Sequence, residues 1–267
     1  MPYVENSDAE FASIGLVGYK GRMGGMFARV FRELGHQVYN VGRVMDENTV
    51  MALKQSKLVL LSVPLTALED VLRNIRPYLQ AEQVLMDVTS VKTLPMRLME
   101  EYFSGQVIGA HPLFGPTPDK ADMKVALVRG KNARDSACRE AERLFQRMGC
   151  AVFWTSAREH DLGVSFAQSL NFAVSAAFFC SLSRREGIRP FLTPSFKRHL
   201  EAARKHLTMD RKMFCEFTAG NPAFKQALAE YQGILDEVAA GELSKIADEA
   251  ASWYAEETGG QGIPPNP

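Results

Sequence analysis

The chain has little cysteine, and its cysteines follow no pairing pattern. Its 267 residues include four, with no CxxC pair and no histidine at metal-ligand spacing: Cys138, Cys150, Cys180 and Cys215. This spacing argues against a disulfide framework and against a zinc site, so we expect no metal. The start of the chain lacks the basic and apolar segments of a signal peptide, and we expect no apolar run near the ~20 residues of a membrane span. The prediction is a cytoplasmic protein with reduced thiols.

Excess charge is absent as well. Lys and Arg together number 31, as do Asp and Glu, so the formal net charge is zero. Without a net basic field we expect neither nucleic acid nor a membrane surface as a partner, and anions must be held by local charges. Hydrophobic residues make up 46% of the sequence, which is typical of a globular protein, and the length fits two modest domains.

Short apolar runs alternate with amphipathic stretches up to about Thr155. The runs read ASIGLVG, HQVYNVG, KLVLLSVP, QVLMDVT, QVIGAHP, MKVALVRG and CAVFWTS. This alternation is typical of repeated βα units. We therefore predict an α/β fold with an N-terminal Rossmann-like, doubly wound parallel sheet over residues 12–155. An all-helical dimerisation domain over residues 156–256 and a loose tail over residues 257–267 are expected to follow it.

The first long helix of the second domain is unusually apolar. Residues 159–182 include the stretch FAQSLNFAVSAAFFCSL, so this helix is expected to be buried nearly all round. Because the domain is small, we predict that a second copy of the chain supplies part of the cover, in a homodimer.

The turn between the first strand and the first helix is rich in glycine. The sequence IGLVGYKGRMGG brings Gly18, Gly21 and Gly24 into this turn, where glycine lets the backbone approach a pyrophosphate at the helix N-terminus. We predict a dinucleotide site here, and the alternative is an ordinary glycine turn. The predicted cofactor-binding residues are this turn and the end of the third strand: Gly18, Tyr19, Lys20, Gly21, Arg22, Met23, Gly24, Ser62, Val63 and Pro64.

The end of the second strand indicates which dinucleotide binds. An NAD site usually has an acidic residue there for the ribose hydroxyls, but this chain has Gly42 followed by Arg43. A missing carboxylate and a guanidinium favour a 2′-phosphate, so NADP is predicted over NAD. The alternative is that Arg43 is a solvated surface residue.

Polar residues follow the fourth and fifth apolar runs, where a parallel sheet binds its ligands. Ser90 lies just after the fourth run, and His111 ends the fifth. A histidine can accept or donate a proton near neutral pH, so His111 is the candidate acid–base residue and Ser90 could orient it. A histidine satisfied within its loop is the alternative.

Three stretches together resemble a known family. DVTSVK (87–92), AHPLFGP (110–116) and REHD (158–161), which precedes the apolar helix, are similar to the prephenate/arogenate dehydrogenases of tyrosine biosynthesis. The resemblance covers about residues 13–221 and is strongest to the dehydrogenase part of T-proteins. It implies oxidative decarboxylation of prephenate or arogenate, with transfer of the C4 hydride to the nicotinamide. It further implies that His111 deprotonates the C4 hydroxyl, with Ser90 close to His111 and the nicotinamide.

The substrate carboxylates need cations or several donors. Family members commonly place a histidine on the long helix, whereas this chain offers the neutral donors Gln168 and Asn171. Arg204 and Lys205 are the candidate cations, with Lys197 and Arg198 two turns earlier. Polar residues at a helix interface and a solvated basic face are the respective alternatives. The adjacent residues His160 and Asp161 could cap the helix or gate the cleft, and the sequence leaves this open.

Other functions stay open at this level. A dehydrogenase of a different hydroxy acid often carries a lysine on the first long helix, and residues 159–182 contain none. A relative that acts on an amino-substituted prephenate and a catalytically silent NADP-binding sensor are further alternatives. The choice between prephenate and arogenate is also open.

Overall fold

The computed structural model describes residues 11–257, except for the side chain of Lys120. The predicted loose tail lies outside these residues apart from Glu257, which ends the last helix.

A seven-stranded sheet forms the N-terminal part, and every predicted apolar run contains one strand. The strands lie in the order β2-β1-β3-β4-β5-β6-β7. Their bounds are β1 Ser13–Val17, β2 Gln37–Val41, β3 Leu58–Leu61, β4 Val84–Asp87, β5 Gln106–Pro112, β6 Lys124–Arg129 and β7 Ala151–Trp154. The first five strands are parallel to one another, which confirms a Rossmann-like sheet.

The last two strands add an antiparallel pairing to this mostly parallel sheet. β6 is antiparallel to β5, with His111 opposite Ala126, and β7 runs parallel to β6. The reason lies in the connection. Residues 113–123 contain only a short 3-10 turn, whereas a parallel neighbour needs a longer crossover, usually with a helix.

Helices cover both faces of the sheet, as a doubly wound fold requires. They are α1 Arg22–Glu33, α2 Glu47–Gln55, α3 Leu68–Ile75, α4 Thr93–Tyr102 and α5 Asp135–Arg147. One core cluster joins α1 and α5 to the sheet through Phe27, Phe31 and Phe145. The other includes buried residues of α2, α3 and α4, such as Leu53, Leu72 and Met99. These two cores hold the carboxyl ends of β1–β5 in a fixed row.

From Ala157 onward the described chain is helical. The helices are α6 Ala157–Val164, α7 Asn171–Ser183, α8 Pro194–Arg204, α9 Arg211–Gly220, α10 Phe224–Ala239 and α11 Leu243–Glu257. The predicted boundary falls at Ser156, whose side chain caps α6 in a reciprocal pair with Glu159. One π-helical turn, Ser165–Leu170, joins α6 to α7, and a second, Lys205–Met209, follows α8.

The apolar helix formed by α6, the π turn and α7 is less covered than predicted. In its most apolar 18-residue window only 28% of the residues are buried, and Phe166 and Phe178 are 38% and 42% exposed. Within one chain the helix is therefore only partly covered, and its cover by a second copy stays a prediction. Within residues 11–257, this helix, Ala157–Ser183, is also long and apolar enough to cross a membrane, contrary to the expectation from sequence. Length and composition alone are weak evidence for a membrane span, since a core helix of a globular protein can be equally long and apolar.

Candidate active site

The glycine turn after β1 has the close backbone packing that a dinucleotide site needs. Gly18 adopts a φ of +84°, and a Cβ on it would lie 2.1 Å from the carbonyl oxygen of Ser62. A Cβ on Gly24 would lie 2.2 Å from the carbonyl oxygen of Gly18. Helix α1 begins at Arg22 with no side-chain cap and no acidic residue in its first turn. Its N-terminus is therefore open to an anion such as a pyrophosphate.

A cavity of about 890 Å³ extends from this turn along the ends of β1, β2 and β3. Its lining includes eight of the predicted cofactor residues: Gly18, Tyr19, Lys20, Gly21, Arg43, Ser62, Val63 and Pro64. Sequence analysis missed Asp70 and Asn74, which reach the cavity from α3. They lie on an ordinary amphipathic helix, so no local motif marked them.

The end of β2 presents the predicted cationic corner. Gly42 and Arg43 both line the cavity, and Arg43 is exposed. Among residues 11–257 it has no ion-pair partner. Asp70, the acidic residue that lines the same cavity, pairs with Arg73 at 3.0 Å instead. Arg43 is thus available to an added anionic group.

A second cavity, of about 550 Å³, lies between the sheet and the helical part. Arg22 and Met23 line it, as do Ser90 and the residues 62–64 that also line the first cavity. The helical part contributes six residues: Met209, Asp210, Lys212, Met213, Glu216 and Phe217. Arg22 Nη2 lies 3.2 Å from Asp210 Oδ1, which joins the glycine turn to the start of α9. Gly24 lines neither cavity and acts by packing.

His111, the predicted acid–base residue, lies near the end of β5 and is 4% exposed. It is absent from the lining of both cavities. Its Nδ1 lies 2.9 Å from His160 Nε2, and His160 Nδ1 lies 2.9 Å from Asp161 Oδ1. Ser90 makes no hydrogen bond with its side chain in the described part of the chain, so the expected orientation of His111 by Ser90 is not observed. His160 holds the ring instead.

Asp161, the last residue of the REHD stretch, joins the helical part to the sheet part through its hydrogen bonds. Its Oδ1 accepts a hydrogen bond from Lys92 N at 2.6 Å, and its Oδ2 accepts one from Thr93 N at 2.8 Å. These bonds satisfy amide groups at the start of α4. Asn221 Nδ2 donates to the backbone oxygen of Asp161 at 2.8 Å. Asp161 therefore caps a helix of the sheet part, rather than its own helix or a gate.

A buried ion pair lies beneath this network. Lys92 Nζ is 2.6 Å from Asp87 Oδ2 and donates to the carbonyl oxygen of Ala110 at 2.7 Å. Both charged side chains are fully buried, and Asp87 Oδ2 also accepts hydrogen bonds from Thr89. Lys92 thus ties the end of β4 to the residue that precedes His111. This role has no local signal, because a lysine in a loop is ordinarily solvated.

Burial and neighbouring charges shift the pKa values in this cluster. Burial, with His160 and the ammonium of Lys92, lowers the pKa of His111 well below its usual value. Burial alone would raise the pKa of Asp161, but hydrogen bonds from His160, Thr93 and Lys92 outweigh it and leave that pKa lowered. The site at neutral pH consequently holds a neutral His111 and an ionised Asp161.

The four predicted substrate residues are two cations, Lys205 and Arg204, and two neutral donors, Gln168 and Asn171. Lys205 lies on the second π turn, and its Nζ is 4.0 Å from the position of a Cβ on Gly115, beside the loop after His111. Arg204 is exposed and pairs with Glu201 at 2.8 Å. Gln168 is half-buried in the first π turn and Asn171 is exposed. None of the four lines either cavity, and the alternates Lys197 and Arg198 are exposed on α8.

The fold and the cavity at the carboxyl ends of the strands together define the class of protein. The glycine turn, the open N-terminus of α1 and the cavity along β1–β3 belong to a Rossmann-type dinucleotide-binding protein. Its helical second part contributes to the adjoining cavity.

Comparison with known proteins gives the family. The family model for the nucleotide-binding domain of prephenate dehydrogenase matches residues 34–133. The T-protein of Haemophilus influenzae is 32% identical over 181 residues, which are 67% of this chain and 47% of the relative. The chain thus belongs to the prephenate/arogenate dehydrogenase family, as its three motifs indicated.

Solved structures agree in fold. Synechocystis arogenate dehydrogenase has a TM-score of 0.74 at 19% identity, covering 93% of this chain and 98% of that chain. A. aeolicus prephenate dehydrogenase in complex with hydroxyphenyl propionate and NAD+ has a TM-score of 0.70 at 19% identity, covering 92% and 95%. The chain spans about half the length of the curated relatives it matches, 47%, 53% and 45% for three of them.

Proposed function

We propose that this chain is a nicotinamide-dependent dehydrogenase that oxidatively decarboxylates prephenate or arogenate. The observation that carries the proposal is His111: a neutral, buried imidazole, held by a second histidine, near the carboxyl end of β5 in the sheet whose strands β1–β3 end at the dinucleotide cavity. Family membership narrows the substrate to a cyclohexadienyl carboxylate with a ring hydroxyl at C4.

The residues present fit a dinucleotide. Gly18 and Gly21 line the first cavity beside the N-terminus of α1, which has no side-chain cap and could accept a pyrophosphate, and residues 62–64 line both cavities. When bound, this cofactor supplies a hydride acceptor. Ser90, which lines the second cavity, would contact the substrate beside it.

His111 would remove the proton of the C4 hydroxyl. As the oxygen loses its proton and C4 loses its hydride, a ring ketone forms that is conjugated to the carbon bearing the carboxylate. Loss of CO₂ then gives an aromatic ring. The chain therefore has to provide one base and the alignment of two reactants.

The cofactor we propose is NADP in preference to NAD. Arg43 has no ion-pair partner among the described residues and lies at the cavity beside Gly42, which takes the place of the acidic residue usual at the end of β2 in NAD sites. The Asp70 carboxylate on the same cavity is paired with Arg73. A guanidinium offers two parallel donors to such a group.

For the substrate carboxylates we propose Lys205 as the principal cation, since its ammonium lies beside Gly115 in the loop that follows His111. Gln168 and Asn171 would add neutral donors from the long helix. Arg204 is the weaker candidate because its guanidinium is engaged with Glu201.

We also propose a homodimer in the cytoplasm. The exposed phenylalanines of the Ala157–Ser183 helix need cover, and a second copy presents the same apolar surface. Sedimentation equilibrium tests this: a dimer is expected at micromolar concentration. A monomer that floats with phospholipid vesicles would contradict it.

The decisive experiment is a steady-state assay that crosses prephenate and arogenate with NAD and NADP. Reduced cofactor, followed at 340 nm, and released CO₂ should appear together for at least one pair, fastest with NADP. Cofactor binding without turnover of either substrate would refute the dehydrogenase proposal and favour a sensor.

A further inference from the structure

With both rings neutral, the hydrogen-bonded chain from Asp161 through His160 to His111 admits one arrangement of protons. The ionised Asp161 accepts from His160 Nδ1–H at 2.9 Å, so the neutral ring of His160 has its lone pair on Nε2. That lone pair lies 2.9 Å from His111 Nδ1 and accepts its proton. His111 is then left with an unprotonated Nε2, which is the form that a general base needs.

A proton that remained on His111 would be unfavourable. The ring is 4% exposed, and the ammonium of Lys92 lies close enough to lower the pKa of His111. The charged groups around it come from three elements: Lys92 at the start of α4, Asp87 at the end of β4, and His160 with Asp161 on α6. Since Asp87 is paired with Lys92, the carboxylate left to balance a new positive charge is Asp161, which contacts His160.

We propose that His160 and Asp161 are positioning residues that form a proton relay with His111. In this relay, the positive charge that arises when His111 takes the substrate proton moves to His160, where the carboxylate of Asp161 compensates it. This inference rests on the proposed function for its substrate. As the hydroxyl O–H bond breaks, its proton binds His111 Nε2, and the His111 Nδ1 proton passes to His160 Nε2. The dinucleotide, when bound, would supply the acceptor for the C4 hydride, and a C=O bond forms at C4. After product leaves, the reverse transfer, with the proton lost from His111 Nε2 to water, restores both rings.

Asp161 has a second task in this scheme. The same carboxylate that pairs with His160 accepts from the amides of Lys92 and Thr93, directly after Ser90 and Val91. One side chain of the helical part thereby fixes both the base on β5 and the loop after β4. The relay is consequently part of how the two parts of the chain are joined.

His160→Gln separates transfer from positioning. A glutamine oxygen can accept the His111 Nδ1 proton as a hydrogen bond but cannot take it. We expect kcat to fall roughly 100-fold, the low end of the range for general acid–base groups, with KM for the dinucleotide unchanged. The acid limb of the kcat/KM profile should move to lower pH, because the first proton is then taken by His111 alone, whose pKa is held low.

A purely structural role for His160 would lower the plateau without moving that limb. Proton inventories add a second readout: a curved plot for the wild type, from two moving protons, and a straight one for His160→Gln. The matched control is His36→Gln, a buried histidine in the sheet part that bonds to the carbonyl oxygen of Phe11. Wild-type rate, profile and inventory in His160→Gln would overturn the relay.

Nitrogen-15 NMR of the histidine rings tests the same arrangement without turnover, and so separates this inference from the proposed function. We expect both His111 and His160 to carry their proton on Nδ1 when neutral. A neutral His111 ring that carries its proton on Nε2 would overturn the relay even if the enzyme is active. A variant that fails to fold leaves this measurement on the wild type intact.

Discussion

The buried pair of Lys92 and Asp87 makes the strongest prediction about stability. Lys92 Nζ and Asp87 Oδ2 lie 2.6 Å apart with both side chains fully buried, and Asp87 Oδ1 has no hydrogen-bond partner within residues 11–257. Lys92→Met keeps most of the volume but leaves the Asp87 carboxylate uncompensated. Removing one partner of such a pair costs about 3–5 kcal/mol. At roughly 2–4 °C per kcal/mol for a chain of this size, Tm should fall by about 6–20 °C.

The assay is thermal and urea unfolding of the wild type, Lys92→Met, Asp87→Leu and the double variant. Each single variant should be strongly destabilised, whereas the double variant should recover most of the loss, since no isolated charge remains buried. Lys92→Met should also lower kcat, because the ammonium holds Ala110 O, next to His111. A single variant as stable as the wild type, or a double variant no better than either single one, would refute this reasoning.

Other predictions concern the site directly. His111→Asn should lower kcat about 10²- to 10⁴-fold while the Kd for dinucleotide, measured by fluorescence titration, stays nearly constant; full activity would contradict its role as base. Arg43→Ala should reduce the kcat/KM ratio of NADP to NAD about 10-fold or more, as loss of a charge-assisted contact worth 1.5–3 kcal/mol implies; an unchanged ratio would refute it. Gly24→Ala should weaken dinucleotide binding and lower Tm, because its Cβ would lie 2.2 Å from a backbone oxygen; normal binding would show that the turn relaxes. Lys205→Ala should raise the substrate KM more than Arg204→Ala, and equal effects would contradict the assignment.

The sheet was largely predictable, because each strand is a short apolar run between turn residues. The direction of β6 was not read from the pattern, since hydrophobic periodicity is the same for a parallel and an antiparallel strand. The informative signal was the connection at residues 113–123, which is rich in proline and has no helical periodicity. Its length excludes a crossover helix.

The candidate site was predictable only where a residue follows its own strand. His111 and the glycine turn are of this kind. The contact between His111 and His160 joins residues 49 positions apart, and no local pattern links them. Lys92 was part of a motif in which Ser90 was the expected functional residue, while burial made Lys92 structural. Composition likewise shows that the Ala157–Ser183 helix is apolar, but it does not show which surface packs against that helix.

The position of His160 and Asp161 ties the helical part to His111, the proposed base. Both lie in the first turns of α6, directly after the boundary at Ser156, yet their partners belong to the sheet part. Asn221, which precedes α10, holds the backbone of Asp161 from the other side. A shift of α6 would therefore release the His111 ring and the amides of α4 together. The dinucleotide cavity is lined from the ends of β1–β3 and from α3, whereas the proposed acid–base residue contacts α6, which packs against the ends of β4 and β5. Substitutions at the contact between α6 and the ends of β4 and β5 should therefore change kcat more than they change the affinity for the cofactor.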